Sequence, residues 1–387
     1  MENTGTGPTT ASQNQVPYLE YPSARRDDLG RQQCLVFVIP GNPGLIAYYE
    51  PFMKTLRQLL DEKEAKDGCR SAFHIHGRNL LGFADADHSP HFGTPSPSGT
   101  STTEPFTLED QINHTSTGVT QLTQPSSTTP NFTSVILIGH SVGSYIALEL
   151  FNRHHHHHTP STPTPPIPHL LHSAILLFPT ITHIALSPSG KRLNLLRTTP
   201  LLDRTAHHIA KGFVDLLPRW LLGGVVRRVL RFPTHAAEAT LQFLTSRDGI
   251  WQALHMGKDE MRVIGPEVWG RELWEAVDAV EGDEDREVGG LEKEAGRVRF
   301  WLYFGEGDHW VADEWRDEFI TRREREGGGG TRVVLDEGGV PHAFCIRTCL
   351  GVGFGVAVRG FLANVVADHS EAVAEKVGGW IGEAVGI

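Results

Sequence analysis

Ser134-Val-Ile-Leu-Ile-Gly-His-Ser-Val-Gly-Ser-Tyr-Ile-Ala-Leu-Glu-Leu150 decides the fold of this chain. Its first residues form a short apolar, β-branched run, and its last ones a longer apolar run with helical character. Between them Ser141 stands in the pentapeptide Gly139-His140-Ser141-Val142-Gly143. A chain with 41 glycines contains G-x-S-x-G by chance. The strand before it and the helix after it give it meaning. The two glycines let strand and helix backbones approach closely, and the turn lifts Ser141 Oγ to a helix N-terminus. There the helix dipole and the Val142 N–H can hold an anion.

Outward from this turn the same alternation recurs. Cys34 to Ile39, Ala72 to Ile75 and Ser173 to Phe178 are continuous apolar runs, each followed by a turn or a helix-like segment, and Val298 to Phe304 and Arg332 to Leu335 come after a long gap. Continuous rather than alternating apolar runs indicate strands covered on both faces, the pattern of a parallel sheet with helices between. The chain therefore reads as α/β, with a mostly parallel sheet flanked by helices and a helical cap insertion. Residues 1–30 read as a disordered tail, 31–180 as the first part of the core, 181–296 as the cap, and 297–387 as the second part of the core. The Pro/Ser/Thr-rich stretches Asp85 to Glu104 and Gln121 to Pro130, and Arg153 to Pro168 with its five histidines, read as surface insertions. So do the acidic Gly282 to Glu294 and the glycine run Gly327 to Gly330.

A serine hydroxyl needs a base, and the base an orienting acid. In a sheet of this kind both follow the serine in chain order, each beyond a late strand. Gly305-Glu-Gly-Asp308-His-Trp supplies the acid, with Glu306 and Asp313 as rivals by proximity. Gly338-Gly-Val-Pro-His342-Ala-Phe supplies the base, with His309 as its rival in the wrong turn. The second amide for an oxyanion comes from the loop after an early strand, here Pro40-Gly41-Asn42-Pro43-Gly44. Asn42 has the N–H that Pro43 lacks. An ordinary β-turn is the competing reading of that loop.

The composition narrows the alternatives. A formal charge of −11, from 46 acidic against 35 basic residues, argues against general nucleic-acid binding. Cys34, Cys69, Cys345 and Cys349 contain no C-x-x-C pair and read as reduced thiols of an intracellular protein. Met1 to Gln15 lacks the basic start and apolar stretch of a secretory signal. The N-x-T matches at Asn113 and Asn131 then read as chance. The tract His154 to His158 reads as an adventitious metal binder in a Pro-rich loop, so no metal and no cofactor is expected.

These residues resemble the lipid droplet-associated hydrolase family, a branch of the α/β-hydrolase fold. The likeness rests on Ile39-Pro-Gly-Asn-Pro-Gly-Leu-Ile-Ala-Tyr-Tyr49, Ile138-Gly-His-Ser-Val-Gly-Ser-Tyr145, Leu177-Phe-Pro-Thr-Ile181, Ser187-Pro-Ser-Gly190, Tyr303-Phe-Gly-Glu-Gly-Asp-His-Trp310 and Pro341-His-Ala-Phe344, in that order. The resemblance implies a triad of Ser141, Asp308 and His342, a lipid ester substrate such as a sterol ester or an acylglycerol, and peripheral residence on lipid droplets and the endoplasmic reticulum. A droplet-surface protein that regulates storage by binding lipid with little turnover is the alternative, and a soluble hydrolase of small esters or thioesters a third reading. The low-complexity insertions depart from the family pattern and bear on cap shape.

No uninterrupted apolar run of membrane-spanning length occurs. Ile209 to Phe232 interleaves Phe213, Leu216, Leu217, Trp220, Leu221, Leu222, Val225, Val226, Val229 and Leu230 with Lys211, Arg219, Arg227, Arg228 and Arg231, a composition suited to a lipid interface. Pro218 breaks it. A pair of cap helices packed on the core is the equal alternative. The apolar, Gly-rich Cys349 to Val366 reads as a closing core segment.

Overall fold

The computed structural model describes residues 17–28, 30–95, 102–124, 130–156, 170–275, 299–326, 330–336, 338–346 and 369–387. Seven strands form one sheet: β1 (Tyr18–Tyr21), β2 (Gln32–Ile39), β3 (Ser71–Arg78), β4 (Phe132–His140), β5 (Leu171–Leu177), β6 (Phe300–Gly305) and β7 (Thr331–Asp336), in the order β1-β3-β2-β4-β5-β6-β7. Only β1 is antiparallel, against β3. β4 and β5 are apolar and buried on both faces along most of their length, as a parallel strand between helix layers must be. The two edge strands differ: β1 alternates exposed and half-buried residues, and β7 is half-exposed.

The helices α1 (Glu50–Glu64), α2 (Leu108–Thr123) and α3 (Val142–His156) follow β2, β3 and β4. Helix α2 begins in a capping box, where Thr107 accepts the Asp110 N–H and Asp110 accepts the Thr107 N–H. Between β5 and β6 the chain leaves the sheet as α4 (Pro188–Thr198), α5 (Pro200–Asp215), α6 (Arg219–Gly224), α7 (Thr234–Thr245), α8 (Gly249–Val263) and α9 (Arg271–Glu275). α8 packs on α2, α4, α5 and α7. α10 (Asp313–Arg325) joins β6 to β7, and α11 (Ser370–Val385) packs along α1.

Four sequence expectations need correction. Gln121 to Pro130, expected as a surface insertion, begins inside helix α2, whose apolar face buries Thr123. The tail expected over 1–30 contains β1, whose four residues, Tyr-Leu-Glu-Tyr, are too short a run to signal a strand. Asp85 to Glu104 is not a stretch without packing: Phe92 is 4% exposed and meets Phe106 and Trp251 edge-on. Helix α3 continues through Arg153 to His156, because the Arg153 guanidinium is paired with Glu109 and Glu149. Residues 96–101, 125–129 and 157–168 of the expected insertions, together with Gly282 to Glu294, Gly327 to Gly329 and Cys349 to Val366, lie outside the described residues.

Candidate active site

β4 runs through the middle of the sheet, and the chain reverses at its carboxyl end. Ser141 takes φ 55°, a left-handed conformation uncommon for a residue with a side chain. The turn is held by the Ser141 N–H on Leu177 O at 2.9 Å and by the Ser144 N–H on Ser141 O at 2.9 Å. Its glycines are steric necessities. A Cβ on Gly139 would lie 2.4 Å from Gly143 O, and one on Gly143 would lie 2.3 Å from Ile39 O.

The loops after β6 and β7 meet this serine from one side. His342 Nε2 lies 2.9 Å from Ser141 Oγ, and His342 Nδ1 lies 2.6 Å from Asp308 Oδ2. The other Asp308 oxygen accepts the Trp310 N–H at 2.9 Å. Burial pushes the Asp308 carboxyl up, but the His342 imidazole and the Trp310 N–H outweigh it and hold the carboxyl below its ordinary value. It stays ionised beside the histidine. The rival acids stand elsewhere: Glu306 is exposed, and Asp313 is exposed on α10 and paired with Arg316. His309 is 2.7 Å from Ser189 Oγ through its Nδ1.

The loop after β2 closes the other side. A Cβ on Gly41 would touch Ser141 Cβ at 3.0 Å, so the loop passes directly over the nucleophile position. Its first amide is taken, since the Gly41 N–H donates to Tyr49 Oη at 2.9 Å. Pro43 has no N–H, which leaves the Asn42 amide at this height, beside Val142 at the start of α3.

Sequence reasoning missed the groups that fix this arrangement. His140 Nε2 lies 2.8 Å from the His342 carbonyl oxygen, which can only accept, so Nε2 carries the proton. Nδ1 then accepts from Tyr49 Oη at 2.6 Å. Burial is the main force pushing the His140 pKa down to about 3, and the ring is neutral. The result is a chain from the Gly41 amide through Tyr49 and His140 to the His342 main chain. It ties the loop after β2 to the loop after β7. Glu260, on α8, is the second omission. Asn42 Nδ2 donates to Glu260 Oε1 at 3.0 Å and to Ala253 O at 3.1 Å, so α8 fixes the Asn42 side chain. Glu260 is 4% exposed, and burial pushes its carboxyl up to about 8. Tyr49 and His140 sat inside quoted motifs and could have been suspected; Glu260 lies 218 residues from Asn42 and carries no local signal.

Comparison with known proteins places the chain in a family and a fold. The family model described as "Lipid-droplet associated hydrolase" matches residues 32–345. The chain is 26% identical over 326 residues to the lipid droplet-associated hydrolase of Rattus norvegicus, covering 83% of this chain and 82% of that protein. It is 28% identical over 322 residues to that of Gallus gallus, covering 81% and 80%. Among solved structures it is similar to a peroxisomal alpha-beta-hydrolase of Saccharomyces cerevisiae, with a TM-score of 0.52 and 14% identity over 98% of this chain and 86% of that one. At that identity the likeness shows the fold alone, an α/β-hydrolase.

Proposed function

The chain belongs to the lipid droplet-associated hydrolase family, and from that premise we propose that it is a serine hydrolase of lipid carboxylic esters, sterol esters or acylglycerols, working at lipid droplets and the adjoining endoplasmic reticulum surface. The observation that carries the reading is the unbroken line Asp308, His342, Ser141, with hydrogen-bond separations of 2.6 and 2.9 Å.

In this mechanism Ser141 Oγ attacks the ester carbonyl carbon while His342 Nε2 takes its proton. Asp308 holds the Nδ1 proton and favours the imidazolium. The negative oxygen of the tetrahedral intermediate receives the main-chain amides of Asn42 and Val142, and Glu260 and Ala253 hold the Asn42 side chain. His342 returns the proton to the departing alcohol, leaving an acyl group on Ser141. Water, deprotonated by His342, then attacks the acyl carbon, and the fatty acid leaves as Ser141 regains its proton.

The cap supplies a surface suited to lipid. Phe213, Leu216 and Trp220 are 68%, 78% and 76% exposed, and Val229 is also exposed, in a stretch that carries the exposed Arg219, Arg227 and Arg228. Apolar tips flanked by guanidinium groups fit a monolayer with anionic headgroups. The same stretch serves the cap as well, since Leu222 and Val226 are buried. No helix among the described residues is long and apolar enough to cross a membrane.

The test is release of fatty acid from emulsified cholesteryl oleate and triolein by the intact chain and by Ser141→Ala. Turnover by the parent and none by the variant supports the reading; equal rates refute it.

A further inference from the structure

Where the loop after β3 meets the start of α8, a second group of side chains converges. His88 Nε2 and His91 Nδ1, on the loop after β3, each lie 3.0 Å from the same oxygen, Oδ2 of Asp248, the residue preceding α8. The Phe92 N–H donates to that oxygen too, at 3.2 Å. Among the described residues this is the one place where three His, Cys, Asp or Glu side chains offer ligand atoms within 4.8 Å of one another.

The surroundings shape it as a site with one open side. The His88 and Asp248 side chains are 5% and 4% exposed, whereas His91 is 38% exposed. The His88 ring is fixed by stacking on Phe92 at 4.3 Å and by the edge of Phe106. Asp85 accepts the Arg247 and Asp248 N–H groups and so orients the backbone that carries the carboxylate.

We propose that His88, His91 and Asp248 bind a zinc ion that joins the loop after β3 to α8. Two neutral imidazoles and one carboxylate are a zinc donor set with a fourth position left for water. On binding, each imidazole turns a lone pair to the metal from the nitrogen now facing Asp248, and its proton resides on the other ring nitrogen. The ligands are 157 and 160 residues apart in sequence. Joining them across that separation stabilises the folded chain and seats the helix that holds Asn42.

The test must separate this site from the polyhistidine tract. In the full chain carrying His154→Ser, His155→Ser, His156→Ser, His157→Ser and His158→Ser, stripped with chelator, titration with zinc chloride should show about one zinc per chain and a raised Tm. Cobalt in its place should give the visible bands of a tetrahedral site. His91→Gln on that background replaces a partly exposed ring, so it should melt with the background when metal-free and bind zinc at least about tenfold more weakly. No zinc uptake by the background, or equal uptake after His91→Gln, overturns the proposal.

Discussion

Replacing Glu260 with glutamine should make the protein more stable than its parent at pH 8, while the difference nearly vanishes toward pH 5. Glutamine keeps an oxygen for the Asn42 Nδ2 hydrogen bond, so the change removes the ionisation and little else. Burial pushes the Glu260 carboxyl from 4.5 up to about 8, with the Asn42 hydrogen bond opposing and the Asp259 charge assisting. The unfolded chain therefore loses this proton near pH 4.5, whereas the folded chain keeps it to about pH 8. The folded state binds more protons across that window, so stability falls as pH rises through it and levels off above. At about 1.36 kcal/mol per pH unit the full effect is on the order of 5 kcal/mol, an upper bound because a buried site relaxes and admits water. Urea unfolding of parent and variant at pH 5, 6, 7 and 8, followed by tryptophan fluorescence, isolates Glu260 because every other titrating group is common to both. A stability difference that does not change with pH would refute a neutral, buried Glu260.

Other perturbations follow from the same geometry. Asp308→Asn leaves His342 without its ionised partner and should lower kcat on a soluble chromogenic ester by about 10³–10⁴-fold with little change in KM; a loss under tenfold would mean that another acid serves. Tyr49→Phe strips the hydroxyl that joins the Gly41 amide to His140, and kcat should fall by roughly tenfold at unchanged KM. Stopped-flow or steady-state assays on the purified variant check this. Leu216→Glu with Trp220→Glu changes two exposed cap residues, and should abolish flotation with phospholipid-coated triolein droplets while sparing soluble-ester hydrolysis. Undiminished flotation would leave the docking face elsewhere.

Much of this was legible in the chain because parallel strands buried on both faces write themselves as unbroken apolar runs. β2, β4, β5 and β6 were found within a few residues of their ends. The nucleophile turn was legible because its glycines answer a backbone clash that any Cβ would meet. Asp308 and His342 were legible by chain order, each standing beyond its strand, and the structure brings both to Ser141. The rest depended on contacts that sequence separation hides. β1 is an edge strand that needs few apolar residues. Asp85 to Glu104 looks like linker by composition, yet a single Phe92 and the His88, His91 and Asp248 cluster fasten it to the cap. Glu260 reads as one more charge on an amphipathic helix, and only the approach of Asn42 shows why it is buried.

Incubation of the full chain with a fluorophosphonate, followed by intact mass and peptide mapping, bears most directly on the central claim. The account predicts a single phosphonyl adduct on Ser141, no adduct in Ser141→Ala, and much slower labelling in His342→Ala. An unlabelled parent, or an adduct that persists in Ser141→Ala, would contradict it.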